Sequence, residues 1–404
     1  MSPSQRILIY AELLSNIRQV SVGCTLPTPV STATLATVSA DGRALTVTHH
    51  GSNQTVQLPD AVAPFSQLPI QKSRGTTSLS WRLPLATPLT GRALPVSEEA
   101  APWSATDLEP GSAVACRTCE STVVGAGTLK VWKDLPSENW AEMMEFWHCH
   151  KPHSHTHEND EEHLTNRGYG ASSRITAQPG IGFVDLTSFL LADSDLVPSS
   201  ISASATTNGA PNETRTLVTL HCTSCKTQLG VRNDQALSAS IFKWQVVVKQ
   251  QNRNAPESPP SLAQCVSAML LATVARSGCS KSVLLPIKSQ TNPPLYGSKF
   301  ENGSQLQGVL KIWVFNANIT FSSTKASRSP INAVKVFYRI VSQEEADKML
   351  ESITSGVQDV SLPAEAITTI FGLLNESNSL VPESDRKFKE WTVGLLEKWD
   401  GNGG

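Results

Sequence analysis

The sequence feature that most constrains the fold is a pair of matching Cys-x-x-Cys segments, Cys116–Cys119 and Cys222–Cys225. Two cysteines three positions apart can aim both thiolates at one ion, because a tight turn brings them to the same side. Each segment follows a short apolar run and precedes a glycine, Gly125 or Gly230, which predicts a strand, a metal-binding turn and a returning strand. Together the segments supply the four soft ligands of a tetrahedral zinc site. A shared zinc ion would join distant parts of the chain, because the segments lie much further apart than in a compact zinc ribbon.

Two other interpretations of these cysteines remain open at this point. The segments could be unrelated surface turns, or redox dithiols, which usually open a helix after a strand. The glycine and apolar residues that follow each segment favour a returning strand and therefore a metal. A closed four-thiolate site keeps no open coordination position, so we expect the zinc to stabilise the fold and not to perform chemistry.

The composition excludes several classes of partner. The 404 residues carry a net charge of −2, so no basic stripe is apparent and direct nucleic-acid binding is not expected. No apolar run approaches the roughly 20 residues that span a bilayer, and the N-terminus lacks a secretory signal pattern. We therefore expect a soluble intracellular protein with no membrane association. In a reducing compartment, Cys-x-x-Cys pairs are metal ligands or redox centres more often than disulfides.

The first part of the chain is rich in predicted strands. Alternating or β-branched runs separated by glycine, proline and Asp-Gly breaks predict a meander before residue 100, and residues 78–83 alternate most regularly. Strands are also expected at 129–132 and 241–248, and residues 182–191 predict a buried strand or a strand that turns into a short helix. One helix interrupts them, predicted from Glu138 to about His148 with Ser137 as its N-cap.

The later part of the chain changes character after a proline-containing linker at residues 250–260. Helices are predicted over 261–276, 342–355, 363–374 and 383–399, and strands over 310–317 and 333–340. The expected class is α+β, with a strand-rich N-terminal body stapled by the split four-cysteine zinc site and a more helical C-terminal part. The expected domains are residues 1–250, with the inserted helix and a His-rich loop, and residues 261–404.

The His-rich loop begins at His148 and contains a single cysteine, Cys149. Flanking imidazoles could lower the pKa of Cys149 and raise its thiolate fraction. Three roles remain open for it: a transthiolation nucleophile, a ligand to a second metal together with His150, or a buried cysteine at a helix end. The histidines at 153, 155 and 157 are most simply a solvated tract that binds metals adventitiously.

The remaining cysteines, Cys24, Cys265 and Cys279, are isolated in the sequence, and burial is expected for all three. The short signatures of nucleotide-binding loops, dinucleotide-binding folds, serine hydrolases and zinc proteases are missing from the chain.

Five segments, in this order, resemble the HECT-like ubiquitin ligases that bind ubiquitin-conjugating enzymes. They are the first Cys-x-x-Cys pair, Leu135–Trp140, Trp147–His150, Gly182–Leu186 and the second Cys-x-x-Cys pair. The sequence looks like a fungal member. The distinctive motifs lie between residues 116 and 250. The first hundred residues and the C-terminal helices resemble the family only in general shape.

The resemblance implies a ubiquitin-protein ligase, or an accessory factor that binds a ubiquitin-conjugating enzyme, in the cytoplasm and nucleus. It also implies links to cyclin binding and, in fungi, to the machinery that processes pre-mRNA 3′ ends. Authentic HECT domains carry a catalytic cysteine in a C-terminal lobe, but this chain has no cysteine after Cys279. A ubiquitin thioester would therefore form on Cys149, Cys265 or Cys279.

Two hypotheses follow. In the first, zinc holds the scaffold, a protrusion docks the conjugating enzyme, and Cys149 is the acceptor thiol or a partner contact. The partner-binding residues would be Asn139, Trp140, Trp147, His148, Cys149 and His150. In the second, the protein is a non-enzymatic factor whose Cys149–His150 tip contacts the metal centre of the 3′-end endonuclease and stabilises or inhibits it, since a nucleophile would need acid–base partners.

Overall fold

The computed structural model describes residues 6–64, 67–70, 75–86, 101–135, 176–204, 217–250, 258–287, 308–326, 330–352 and 354–400. The chain forms two compact units. The first unit contains residues 1–100, 262–287 and 294–400, and the second is built mainly from residues 101–261. The predicted helix over 138–148 and the His-rich loop lie outside the described residues.

The strands and helices follow each other along the chain in three groups. The N-terminal group consists of β1 (Leu8–Leu14), β2 (Gln19–Thr25), β3 (Thr34–Val38), β4 (Ala44–His49), β5 (Ser52–Gln57) and β6 (Ser78–Pro84). The middle group consists of β7 (Ala113–Cys116), β8 (Thr122–Val124), β9 (Val131–Asp134), β10 (Ile181–Val184), β11 (Ser188–Ala192), β12 (Ile201–Ser204), β13 (Leu217–Cys222), β14 (Gln228–Asn233), β15 (Ser238–Phe242) and β16 (Val246–Lys249). The C-terminal group consists of α1 (Leu262–Ser277), β17 (Lys281–Pro286), β18 (Val309–Ser323), β19 (Ile331–Val341), α2 (Gln343–Glu351), β20 (Val357–Leu362), α3 (Ala364–Asn378), β21 (Lys387–Phe388) and β22 (Trp391–Glu397).

A nine-stranded sheet forms the body of the first unit, in the order β21-β22-β19-β18-β1-β2-β6, with β17 pairing both β18 and β20. The 15-residue strand β18 makes this possible, because its first half pairs with β17 and its last residues pair with β1. We expected one domain over 1–250 and another over 261–404. In the structure, residues 1–100 group instead with the C-terminal residues, because β1 and β18 lie side by side in one sheet.

A buried ion pair strengthens the junction between the N-terminal and C-terminal strands of this sheet. The Nζ atom of Lys335 on β19 lies 2.7 Å from Oε2 of Glu12 on β1, and the Tyr10 hydroxyl donates to the same oxygen at 2.8 Å. Glu12 is 5% exposed. A buried carboxylate is stable only when it is paired and hydrogen-bonded. Tyr10 lies on β1 itself, so Lys335 is the partner that links β1 to β19.

Strand-rich architecture is confirmed, and three of the four predicted C-terminal helices are present as α1, α2 and α3. The predicted helix over 383–399 is wrong, because that stretch contains β21 and the buried strand β22, which pairs with β19. Long-range pairing explains the difference, because β22 forms an antiparallel ladder with β19 from Thr392 to Glu397. Gly394 allows α3 to pack closely on this strand, since a Cβ there would lie 2.6 Å from Leu374. The alternation of Trp391, Val393 and Leu395, all buried, belongs to a strand period. That the C-terminal part is the more helical one stays a prediction.

The second unit contains a seven-stranded sheet, ordered β12-β13-β14-β15-β11-β10-β9, and a three-stranded sheet, β16-β7-β8. The predicted strand over 182–191 is divided into β10 and β11, which form an antiparallel hairpin. Both sheets matter for the site, because β7–β8 carries the first cysteine pair and β13–β14 carries the second.

A fully buried lysine ties the start of the second unit to its core. The ammonium group of Lys243 donates to the backbone carbonyl of Trp103 at 3.1 Å and to that of Pro102. Its Nζ atom also lies 5.6 Å from the ring centroid of Phe189. Two carbonyl acceptors and a ring face thus replace water around the Lys243 ammonium group, whose burial without partners would be energetically unfavourable. None of the helices among the described residues is both long and apolar enough to cross a membrane.

Candidate metal centre

The first cysteine pair lies in a tight loop between β7 and β8. The backbone N–H of Cys116 donates to the carbonyl of Ser121 at 2.8 Å, and the N–H of Glu120 donates to the carbonyl of Cys116 at 2.9 Å. Glu120 has a φ of 59°, in the left-handed region that turns the chain sharply. Because the loop closes on itself in this way, Cys116 and Cys119 face the same point.

The second pair lies in a loop of the same construction between β13 and β14. The N–H of Cys222 donates to the carbonyl of Thr227 at 2.9 Å, and the N–H of Lys226 donates to the carbonyl of Cys222 at 3.0 Å. Lys226 has a φ of 64° and occupies the position that Glu120 holds in the first loop. The sequence-based prediction of two equivalent strand–turn–strand units is therefore confirmed.

The two loops bring all four cysteine sulfurs together. The Sγ atoms of Cys116 and Cys225 are 3.6 Å apart, those of Cys119 and Cys222 are 3.4 Å apart, and all four lie within 4.8 Å of one another. Four sulfurs bound at about 2.3 Å to a tetrahedral ion would be separated by roughly 3.8 Å. The cluster therefore has the size that a four-thiolate metal site requires.

Hydroxyl groups link the two loops on either side of the sulfurs. The hydroxyl of Ser121 donates to that of Ser224 at 2.9 Å, and the hydroxyl of Thr227 donates to that of Thr118 at 3.3 Å. Ser121 and Thr227 occupy equivalent loop positions, and so do Thr118 and Ser224. Two such reciprocal bonds give the pair of loops an approximate twofold relation, which the sequence pattern did not reveal because serine and threonine are common in turns.

The sulfurs differ in how readily they ionise. Burial raises the pKa of the Cys116 thiol to about 12. The Ser121 hydroxyl and backbone N–H beside Cys119 lower the pKa of that thiol to about 6, and the corresponding groups of Thr227 lower the pKa of Cys225. Hydrogen bonds to a thiolate favour the charged form, whereas burial disfavours it. A bound cation would resolve this conflict, because it stabilises all four thiolates at once.

The structure fits a resident metal ion at this position. The donor set is entirely sulfur, two of the ligands, Cys116 and Cys222, are completely buried, and backbone N–H groups support the thiolates. A tetrahedral set of four thiolates suits soft and borderline ions, of which zinc and iron are the usual ones. Among the described residues, the four cysteines are the group of side chains that could hold a metal ion.

Arg117, inside the first Cys-x-x-Cys segment, anchors the loop to the rest of the unit. Its guanidinium group donates to the carbonyl of Trp244 at 3.3 Å and to that of Pro260 at 3.0 Å. Strand β16 runs beside β7, with Val246 opposite Cys116. Sequence reasoning missed this role, because the acceptors are backbone groups more than a hundred positions away.

The other cysteines in the described part of the chain have different environments. Cys24 and Cys265 are buried, as predicted, and burial raises the pKa of Cys24 to about 12. The prediction of burial is wrong for Cys279, which is partly exposed just after the C-terminus of α1. The predicted partner-binding residues lie outside the described residues: Asn139, Trp140, Trp147, His148, Cys149 and His150.

Comparisons with known proteins identify the family. The model of the family described as HECT-like ubiquitin-conjugating enzyme (E2)-binding matches residues 12–393. An uncharacterized protein of Schizosaccharomyces pombe is 25% identical over 319 residues, which is 74% of this chain and 77% of that relative. An uncharacterized protein of Saccharomyces cerevisiae is 23% identical over 296 residues, 72% of this chain and 71% of the relative.

A third relative carries a functional name. It is an E3 ubiquitin-protein ligase of Pongo abelii, 23% identical over 301 residues, which cover 70% of this chain and 72% of that protein. No solved structure matches. The family model spans nearly the whole chain, from β1 to β22, and so includes both loops of the sulfur cluster. The chain therefore belongs to the HECT-like family of proteins that bind ubiquitin-conjugating enzymes (E2).

Proposed function

We propose that this protein binds a ubiquitin-conjugating enzyme and acts with it as a ubiquitin-protein ligase. Membership of the E2-binding family over residues 12–393 is the observation that carries the proposal. The relative named as an E3 ubiquitin-protein ligase, which aligns with 70% of the chain, supports the ligase activity.

The four-cysteine cluster would hold a structural zinc ion. Four protein ligands fill a tetrahedral shell, so the ion would have no open position for water or substrate. Its chemistry is to neutralise four thiolates and cross-link two loops, and the residues that hold it are Cys116, Cys119, Cys222 and Cys225. Elemental analysis of the purified protein should find one zinc per chain; a second equivalent would point to a further site near Cys149 and His150.

Cys149 is the proposed acceptor of ubiquitin. Of the eight cysteines in the chain, four form the cluster and two, Cys24 and Cys265, are buried, so Cys149 and Cys279 remain. Cys149 has imidazoles on both sides in the sequence, from His148 and His150, which favour a thiolate. Nothing comparable flanks Cys279 in the sequence.

The transfer itself would be a thioester exchange. The Cys149 thiolate attacks the thioester carbonyl that joins ubiquitin to the conjugating enzyme, the new sulfur–carbon bond forms, and the bond to the enzyme's cysteine breaks. That cysteine leaves as a thiolate and takes up a proton. The residues that would contact the conjugating enzyme during this step are Asn139, Trp140, Trp147, His148, Cys149 and His150.

A charging assay tests this proposal. The protein is mixed with activating enzyme, ubiquitin-charged conjugating enzyme and ATP, and a reductant-sensitive adduct is sought on non-reducing gels. We expect the adduct in the wild type and in Cys279→Ala, the matched control, and its loss in Cys149→Ala. An adduct that survives in Cys149→Ala but not in Cys279→Ala would move the acceptor to Cys279.

A different outcome would favour a non-enzymatic role. If the wild type forms no adduct and Cys149→Ala weakens a pull-down of the 3′-end processing endonuclease, the protein would be a binding factor whose Cys149–His150 tip contacts that enzyme. Binding of the conjugating enzyme is measured separately by calorimetry, so that the loss of ligase activity and the loss of E2 binding are distinguished.

A further inference from the structure

One face of the nine-stranded sheet carries a cluster of aromatic side chains. Phe337 on β19 stacks on Phe315 of β18 with ring centroids 4.5 Å apart, and on Phe388 of β21 with centroids 5.2 Å apart. Trp313 lies 5.2 Å from Phe337 and 5.8 Å from Trp391, in edge-on contacts. These five rings, here called the aromatic face, form one continuous surface contributed by four strands.

The outer rings of the aromatic face are open to solvent. Phe315 is 56% exposed and Phe388 is 44% exposed. Phe337, which is only 5% exposed, is buried and packs against both rings. Neighbouring residues on a strand point to opposite faces, so Tyr338 points the other way, where it contacts Phe371 of α3. Helix α3 thus covers the opposite face. On the aromatic face, Phe337 and Trp391 belong to a buried cluster that includes Val381, whereas Phe315 and Phe388 are exposed. Exposed aromatic side chains on a rigid sheet mark an interaction surface.

Lysine side chains border the exposed rings. The Nζ atom of Lys281 lies 5.3 Å from the ring centroid of Trp313, its neighbour across β17 and β18, and the Nζ atom of Lys389 lies 5.6 Å from the centroid of Phe388. Lys281 is partly exposed and Lys389 is exposed. Their ammonium groups stand beside apolar rings at the solvent boundary, where they can meet an anion.

Two more cations lie deeper, against Trp391. Lys311 and Arg339, opposite each other on β18 and β19, lie 5.5 Å and 5.3 Å from the centroid of this ring. Arg339 is paired with Glu345 at 2.5 Å, and Lys311 is 7% exposed. Glu390 is the other carboxylate whose charge acts on Lys311. Among the described residues, four cations and two carboxylates thus lie near the aromatic face; of the cations, Lys281 is partly exposed and Lys389 is exposed.

The geometry favours a peptide over a nucleic acid. A surface for single-stranded nucleic acid offers successive ring faces on which bases stack. Here lysine ammonium groups already lie over Trp313 and Phe388. The ring of Phe315 is more than half exposed; it lies 6.3 Å from Trp313 and stacks on Phe337, which in turn stacks on Phe388. One apolar side chain can pack on Phe315 while carboxylates on both sides reach Lys281 and Lys389.

We propose that the aromatic face is a docking surface for an acidic peptide segment of a partner protein, anchored by one aromatic or leucine side chain. Apolar contact with Phe315 and Phe388 would provide the anchor, and the exposed lysines would select for acidic residues beside it. The surface belongs to the first unit and includes none of the residues proposed to contact the conjugating enzyme, so it would add a second recognition site to the proposed function.

An array of synthetic peptides tests the proposal with the full-length protein. The peptides are ten residues long, with one phenylalanine or leucine at varied positions among glutamates, and the strongest binder is labelled for fluorescence anisotropy. We expect Phe315→Ala to weaken its binding at least about fivefold, the effect of removing an interface anchor. Lys389→Glu should weaken it as well and reduce its dependence on salt concentration.

Matched variants and competing ligands complete the experiment. Leu237→Ala, at a 69% exposed position in the second unit, should leave binding unchanged. Both test positions are exposed, so an unchanged thermal midpoint verifies that the variants fold. The proposal is overturned if no acidic peptide binds, if lysine-substituted peptides bind equally, or if a twelve-nucleotide oligo(dT) binds more tightly and loses affinity in the same variants, which would indicate a nucleic-acid surface. Because charging of Cys149 is assayed separately, its failure would leave this test intact.

Discussion

Replacing Cys222 by serine should remove the cross-link between the two loops and loosen the second unit. Cys222 is completely buried, and its sulfur lies 3.4 Å from that of Cys119, which is 103 positions earlier in the chain. If the serine variant binds the proposed zinc ion weakly or not at all, the ion no longer joins these two distant segments.

The size of the effect follows from the length of chain that the proposed ion would close. A cross-link across a loop of about 100 residues is worth roughly 4.7 kcal/mol in the chain-entropy description. Domains are stable by only about 5–15 kcal/mol, so this is a large fraction of the total. For a unit the size of residues 101–261, it corresponds to a fall of about 10–20 °C in the thermal midpoint.

Hydrogen exchange measured by mass spectrometry can show which of the two units loses stability. Amide protection should fall in β7 and β13, which carry the cysteines, and should be retained in β18 of the first unit. A strong chelator added to the wild type should reproduce the pattern. Cys279→Ser, at a cysteine outside the cluster, is the matched control and should change neither the metal content nor the protection.

Two results would refute the reasoning. If Cys222→Ser loses its metal but keeps its thermal midpoint to within about 2 °C, the ion does not hold distant parts of the chain together. If the variant retains one zinc per chain with wild-type protection in β13, the second loop does not supply ligands to a shared site.

Three further predictions concern single side chains. Lys335→Met leaves the Glu12 carboxylate buried without its cation and should lower the free energy of unfolding of the first unit by about 3–5 kcal/mol, measured in urea. Adding Glu12→Gln to this variant should recover part of the lost stability. If the two substitutions have additive effects on stability, the residues are not a coupled pair. Burial lowers the pKa of His49 from its usual value of 6.5, so on acidification the unfolded chain takes up a proton before the folded protein does. The free energy of unfolding should therefore fall as the pH drops below about 6.5. His49→Gln should flatten this pH dependence, and a wild type that gains stability on acidification would contradict the prediction. Gly182→Ala would place a Cβ 2.4 Å from Trp132 and should cost about 1–3 kcal/mol, with a shifted tryptophan emission; an unchanged midpoint would show that the ring moves aside freely.

The spacing of the cysteines was enough to predict two metal-binding turns, because Cys-x-x-Cys is a local geometry, whereas the meeting of the two turns is a long-range contact that the tertiary structure shows. A turn of this length aims two sulfurs at one point wherever the chain places it, and the glycine and apolar residues that follow indicated the returning strands. Most strands and three helices were predicted for the same reason, since hydrophobic periodicity reflects contacts within one element.

Only the tertiary structure decided which elements lie together. The pairing of β1 with β18, the Glu12–Lys335 ion pair and the aromatic face all join residues that no local pattern connects. The strand β22 also shows that a local pattern does not decide the structure of a segment. Its leucines and tryptophan fit a helix as well as a strand, and the choice was made by its place between β19 and β21, where Gly394 packs against α3. Local geometry is determined within short segments, whereas sheet order depends on which long-range pairings bury the most apolar surface at once.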